Sequence, residues 1–285
     1  MSHGRTALAR TQAVGVVMPV HNEQELLGAA LSSLASAFGG LGEWNVEMKL
    51  MVVLDACRDA SAAVVAQWER ELRRATCPVQ VTTMVCHAKN VGFARRIGCA
   101  ALLGQWSALD SSTIWLATTD ADSRVPQNWL RTQVVRHEAG VDLWSGRVSV
   151  VDWPSSRDET ALRWQRAYEE ERNPIHGTSM GFNAKAYLAA GGFAPLRTGE
   201  DRALHGDLVA LGAVAYGDAS SRVETSSRRD ARAPGGFAHA LSVIEKNCDL
   251  DAKCDENRRG NEIDYATPRS VVGLTRAMGT QSSNT

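Results

Sequence analysis

The feature that most constrains this chain is an alternation. Four short apolar runs, AVGVVMPV (Ala13 to Val20), MKLMVVLD (Met48 to Asp55), VQVTTMV (Val79 to Val85) and STIWLATTD (Ser112 to Asp120), are separated by segments with helical spacing. Runs this short and this apolar read as strands buried on both faces. Strand and helix in strict order predict parallel pairing through crossover helices, and so a doubly wound α/β layer. Between the first two strands Leu26, Leu27, Ala30, Leu31 and Leu34 share one helical face, with Asn22 and Glu25 spaced as a capping box. A second helix is expected around Ala62 to Arg74, and a third within HAKNVGFARRIGCAALL.

Ligands on such sheets sit beyond the carboxyl ends of the strands. That rule selects Pro19 to Glu23, Asp55 to Asp59, Lys89 to Arg96 and Asp120 to Asp122. Three of these turns carry carboxylates, and the other carries Lys89, Arg95 and Arg96. A phosphate-bearing ligand with a metal ion would use both kinds of charge. Within TTDADS, capping of the next helix accounts for one acid. Shared ligation of Mg²⁺ or Mn²⁺ by Asp120 and Asp122 accounts for both.

The second half is less regular. DLWSGRVSVVDW (Asp142 to Trp153) alternates as a strand, and DETALRWQRAYEEER (Asp158 to Arg172) has the spacing of an amphipathic helix. GTSMGFNAKAYLAAGGF reads as a turn or short strand, a helix and a glycine stop. A helix through RTGEDRALHGDLVALG and a strand at AVAY follow, then a basic loop with Arg228, Arg229 and Arg232. The division expected is a flexible N-terminus over 1–12, two halves of one domain over 13–125 and 126–250, and a partly disordered extension over 251–285.

With 285 residues, 44% of them apolar, there is ample material for a core. A net charge of −1 argues against a broad electrostatic grip on nucleic acid. The six cysteines form no CxxC pair and read as free thiols of a reducing compartment. No apolar run approaches the roughly 20 residues of a membrane span, and MSHGRTALARTQ lacks a signal-peptide core. These features predict a soluble, cytoplasmic protein.

Four motifs, in order, resemble those of the family 2 glycosyltransferases, which have the GT-A nucleotide-diphospho-sugar transferase fold. They are VVMPVHNEQELL, VVLDACRDAS, TTDADSRVPQNWL, and GTSMGFNAKAYLAAGGF followed by GEDRALHGDLVALG. The resemblance covers Val14 to Gly212 and implies a mixed, mostly parallel sheet. It implies that Pro19, Val20, Asn22 and Glu23 lie against the nucleotide and that Asp55 hydrogen-bonds the base. Gly92 and Arg95 match its Asn-x-Gly-x-Ala-Arg turn at the nucleotide or diphosphate. Asp120 and Asp122 match its Asp-x-Asp motif, with Ala121 between them. The second acid usually ligates the metal, and the first meets the ribose or the metal's water shell. Asp201 matches the general base of inverting members, with Glu200 as runner-up, and His176, Gly177 and Ser179 fall where donor sugar and acceptor meet a short loop. The implied partners are a nucleoside diphosphate sugar, uridine favoured over guanosine, and a hydroxyl acceptor of unknown kind. His205 and His239 are the candidates for a third metal ligand.

Departures narrow this further. The QxxRW motif of membrane-embedded processive polymerases is missing, which argues for transfer of one sugar. A nucleotidyltransferase would need a Gly-rich basic loop after its first strand, where this chain has the acidic PVHNEQE, and a dinucleotide oxidoreductase would need G-x-G-x-x-G there. A non-catalytic sugar-binding relative and a retaining GT-A transferase are the alternatives.

Overall fold

The computed structural model describes residues 10–75, 77–171 and 174–227, with 244 and 246 besides. All belong to one unit, Met1–Lys246. Among the described residues, eight strands form one sheet in the order β3-β2-β1-β4-β7-β6-β8-β5. The first half follows the expected alternation. β1 (Ala13–Val20), β2 (Glu47–Asp55), β3 (Gln80–Cys86) and β4 (Ile114–Thr118) alternate with α1 (Leu27–Gly39), α2 (Ser61–Arg74) and α3 (Val91–Gln105). β1 lies between β2 and β4, and β2 pairs with β3, all in parallel.

The direction then changes. After β5 (Ser123–Arg124), α4 (Trp129–Glu138), β6 (Leu143–Val151) and α5 (Asp158–Glu170), β7 (Met180–Asn183) enters antiparallel between β4 and β6. α6 (Ala184–Ala189), α7 (Glu200–Ala210) and β8 (Ala215–Ser226) complete the described elements. The sheet is therefore mixed, as the resemblance implies. β8 extends far beyond AVAY, pairing parallel with β6 across a register break at Gly146/Arg147.

Two cores cover the two faces of the sheet. Val14, Val16 and Met18 pack with Leu27, Leu31, Leu34 and Phe38 of α1 and with Trp129 and Leu130 of α4. Ala13 and Val17 pack with Ala94, Cys99 and Leu102 of α3 and with Leu204 and Leu208 of α7. Alternate residues of β1 thus serve opposite cores, which is why its sequence is apolar throughout.

The capping box at α1 does not form. Asn22 adopts φ 56°, outside the extended backbone an N-cap requires, and its Oδ1 accepts from the Arg58 N–H at 2.7 Å. Leu26 stands at the N-cap instead, without a side-chain cap. Asn22 therefore ties the loop after β1 to the loop after β2. Cys57, Cys77, Cys86 and Cys99 are free thiols; Cys248, Cys254 and the basic loop with Arg228, Arg229 and Arg232 lie outside the described residues.

Candidate active site

The loops that follow β1, β2 and β4 open at one edge of the sheet, because those strands are parallel and in near-level register. The first two are laced together. The Glu23 N–H donates to Ser61 Oγ at 2.8 Å, Gln24 N–H to Asp59 Oδ2 at 3.0 Å, and the Ala60 N–H to Gln24 Oε1 at 2.9 Å. Glu23 is buried, and His21 Nδ1 lies 2.6 Å from the Asp55 carbonyl oxygen. Pro19 and Val20, the last residues of β1, pair with Val53 and Leu54 and so stand beside Asp55.

Asp55 itself is 4% exposed. Its two oxygens accept the N–H groups of Lys89 and Asn90 at 2.8 and 2.7 Å. The carboxylate thus fixes the turn that starts α3, where Asn90 caps the helix through the Phe93 N–H at 2.9 Å. Gly92 allows a close backbone approach by the protein itself. A Cβ there would overlap Ala194 and Leu196, and its N–H donates to the Leu196 carbonyl at 3.0 Å. The α3 turn is thereby clamped to the segment leading into Gly199–Asp201. Arg96 points away from this edge and binds the Gly191 and Phe193 carbonyls at 3.1 and 3.0 Å.

Arg95 occupies the centre and is 2% exposed. One terminal nitrogen donates to Asp120 Oδ1 at 2.6 Å and the other to Glu200 Oε1. Gly177 lies flat against the guanidinium, since a Cβ there would overlap it, and the Phe193 ring stands 5.8 Å from the guanidinium carbon. The space left by glycine at 177 is therefore filled by Arg95, and that at Gly181 by Gln133 and Trp115. Ser179 is fully buried, with Trp129 Nε1 3.4 Å from its Oγ.

The short 3₁₀ turn Gly177–Ser179 joins the acidic loop to α7. Gly177 accepts from Thr118 Oγ1 at 2.6 Å and donates to Asp201 Oδ2 at 2.8 Å, and Thr178 Oγ1 lies 3.3 Å from the Asp120 nitrogen. The other Asp201 oxygen accepts from the Arg202 N–H at 2.8 Å. Gly199, in the left-handed region at φ 77°, starts α7 and so sends Glu200 inward to Arg95. Glu200 is 4% exposed, whereas Asp201 is half-buried.

Burial first, and then the like charges of Asp122 and Asp201, raise the Asp120 carboxyl above the ordinary range against the pull of Arg95. Its side chain is 37% exposed, so water moderates the burial contribution. Ala121 is buried beneath the loop, and Asp122 Oδ1 accepts from Ser123 Oγ at 3.0 Å. His176 is lowered to about 4, chiefly by burial, despite the charge of Asp201. Two carboxylates of hard oxygen donors suit Mg²⁺ or Mn²⁺. Among the described residues no group of three or more His, Cys, Asp or Glu could hold a metal. His205 sits on α7, one turn beyond Asp201, and its pKa is lowered by burial; His239 lies outside the described residues.

The sequence singled out neither Thr118, Thr178 nor Phe193. All three act through contacts at this site that link distant segments, and no local pattern marks them.

The mixed, mostly parallel sheet flanked by helices is the GT-A fold. Solved structures share this fold. The Pyrobaculum calidifontis mannosyltransferase PcManGT, in complex with GDP-Man and Mn²⁺, superposes with a TM-score of 0.55 at 18% identity over 83% of this chain and 61% of its own. S. aureus TarS 1-349 in complex with UDP gives 0.51 at 13% identity over 76% and 61%. GalNAc-T7 with UDP, GalNAc and Mn²⁺ gives 0.52 at 15% identity over 76% and 44%. The chain thus spans about three-fifths or less of the length of these proteins. No curated protein matches the sequence. The family model for glycosyl transferase family 2 matches residues 15–198, and the chain belongs to that family. Glu200 and Asp201 lie just beyond the matched segment. No helix among the described residues is long and apolar enough to cross a membrane.

Proposed function

We propose that this chain is a metal-dependent glycosyltransferase that moves one sugar from a nucleoside diphosphate sugar to a hydroxyl acceptor, with inversion. The observation that carries this reading is the convergence of the Asp120–Asp122 loop, the Gly177 turn and the start of α7 around Arg95. In this reading the base lies against Pro19, Val20, Asn22 and Glu23, beside Asp55. UDP is favoured over GDP by the frequency of donors in the family.

Asp122 and Asp120 would hold Mg²⁺ or Mn²⁺, which neutralises the departing diphosphate. Two carboxylates leave positions for phosphate oxygens and water, the usual arrangement for Mg²⁺. Arg95 acts on the diphosphate through Asp120 rather than by contact. The Asp201 carboxylate, fixed by two backbone N–H groups, takes the acceptor proton as the hydroxyl oxygen bonds to the anomeric carbon and the bond to the diphosphate breaks. His176 and the Gly177 turn form the wall between donor sugar and acceptor. A cytoplasmic location, with peripheral membrane contact for a lipid acceptor, accords with this chemistry.

The test is release of UDP or GDP from a panel of sugar donors, with Mn²⁺ and with chelator. Mn²⁺-dependent release that is abolished in Asp201→Asn supports the reading. Release that ignores both the chelator and the substitution contradicts it.

A further inference from the structure

Glu200 precedes the proposed base, yet its side chain is buried against Arg95, whereas Asp201 is half-buried. Glu200 is 4% exposed and its carboxylate is paired with Arg95, which is itself 2% exposed. The second guanidinium nitrogen lies 2.6 Å from Asp120 Oδ1. One buried cation is therefore shared between a buried carboxylate and a partly exposed one. Arg95 cannot give up its proton, so its charge must be met by a neighbour. If Asp120 alone met it, the carboxylate would be neutralised by the protein before any metal arrived. With Glu200 on the other side, the arginine is already balanced, and the charge of Asp120 is left to add to that of Asp122.

We infer that Glu200 is a positioning residue that balances Arg95 and so reserves the Asp120 carboxylate for a divalent cation. The inference rests on the reading of Asp120 and Asp122 as the metal site. It assigns Glu200 no proton transfer, and it makes the start of α7 a determinant of metal affinity as well as of the base. The Gly177 backbone lies so close to the guanidinium that a Cβ there would overlap it.

A neutral residue at 200 leaves a full positive charge beside the metal position. At the high effective dielectric of a half-exposed site, that repulsion weakens Mn²⁺ binding by about tenfold. The probe is Mn²⁺ alone, followed by electron paramagnetic resonance of the free ion, on the full chain without nucleotide. Glu200→Gln keeps a hydrogen-bond acceptor for Arg95 and removes only charge. It should bind Mn²⁺ about tenfold more weakly than wild type. The double variant Arg95→Gln with Glu200→Gln restores the net charge of the site and should recover affinity to within about threefold. A purely structural role predicts no such recovery. Equal Mn²⁺ affinity in Glu200→Gln and wild type overturns the inference, as does a double variant weaker than the single one. Where Glu200→Gln does not fold, the double variant alone decides, since wild-type-like Mn²⁺ affinity is expected of it. Titration with UDP and GDP separates this from the functional reading: Mn²⁺ affinities that follow charge, without nucleotide binding, support the inference and sink the transferase.

Discussion

Asp201 Oδ2 accepts the Gly177 N–H at 2.8 Å, so the proposed base is held by the turn that also supports the acidic loop. An asparagine there keeps one acceptor for Gly177 but loses the acceptor for the Arg202 N–H. Asp201→Asn should therefore fold with a loss of about 1 kcal/mol and bind donor within about twofold of wild type. Transfer should fall by about a hundredfold or more, the scale of a lost general base. Turnover measured alongside donor affinity checks this, and a variant with normal turnover removes Asp201 from the mechanism.

Asp55 couples the base-side loop to α3 through the Lys89 and Asn90 N–H groups. Asp55→Ala leaves two part-buried donors without their protein acceptors and should cost about 1–3 kcal/mol of stability. It should also weaken nucleotide binding in the presence of chelator, because the effect does not pass through the metal. Chemical denaturation and a metal-free UDP titration test the two parts. Lost stability with unchanged affinity would confine Asp55 to the turn.

Two glycines make opposite forecasts for the same substitution. Gly177→Ala drives a methyl into Arg95 and should destabilise by about 1–3 kcal/mol while weakening metal binding. Gly28, in α1, has open space where a Cβ would go, and Gly28→Ala should stabilise by about 0.5–1 kcal/mol. Urea unfolding of both variants reads the difference, and equal effects would contradict the packing at Gly177.

His137 and His176 are held neutral, both chiefly by burial, and His176 is lowered to about 4. A histidine with a depressed folded pKa stabilises fully above its unfolded value near 6.5. As pH falls from about 6.5 toward 4, the unfolded chain takes up protons that the folded one refuses, and stability drops by at most about 1.4 kcal/mol per pH unit for each group. His176→Asn should flatten that decline. A variant with the wild-type slope would show that His176 charges freely in the fold.

β1, β2 and β4 were legible because they are buried on both faces and read as apolar runs ending at turns with Asn or Asp, whereas β3, at the sheet edge and half exposed, is not the doubly buried strand its sequence suggests. β7 was ambiguous because MGFN is four residues long, and β8 was read only at its start because GDASSRVETS is polar and half exposed. The candidate residues were found as types at loop positions, but their partners were not. Glu200 meets Arg95 across 105 residues of sequence, and Gly92 serves a loop about as distant. Such contacts depend on how the strands are ordered, which periodicity does not encode.

In the proposed function the Asp120–Asp122 loop binds a nucleotide through a divalent cation. Calorimetric titration of the full chain with UDP and with GDP, each with Mn²⁺ and with chelator, tests it directly when wild type is compared with Asp122→Ala. Wild type should bind one nucleotide with Mn²⁺ and far more weakly with chelator, and Asp122→Ala should lose the metal-dependent gain. Undiminished Mn²⁺-dependent affinity in Asp122→Ala, or no binding of either nucleotide by wild type, would contradict it.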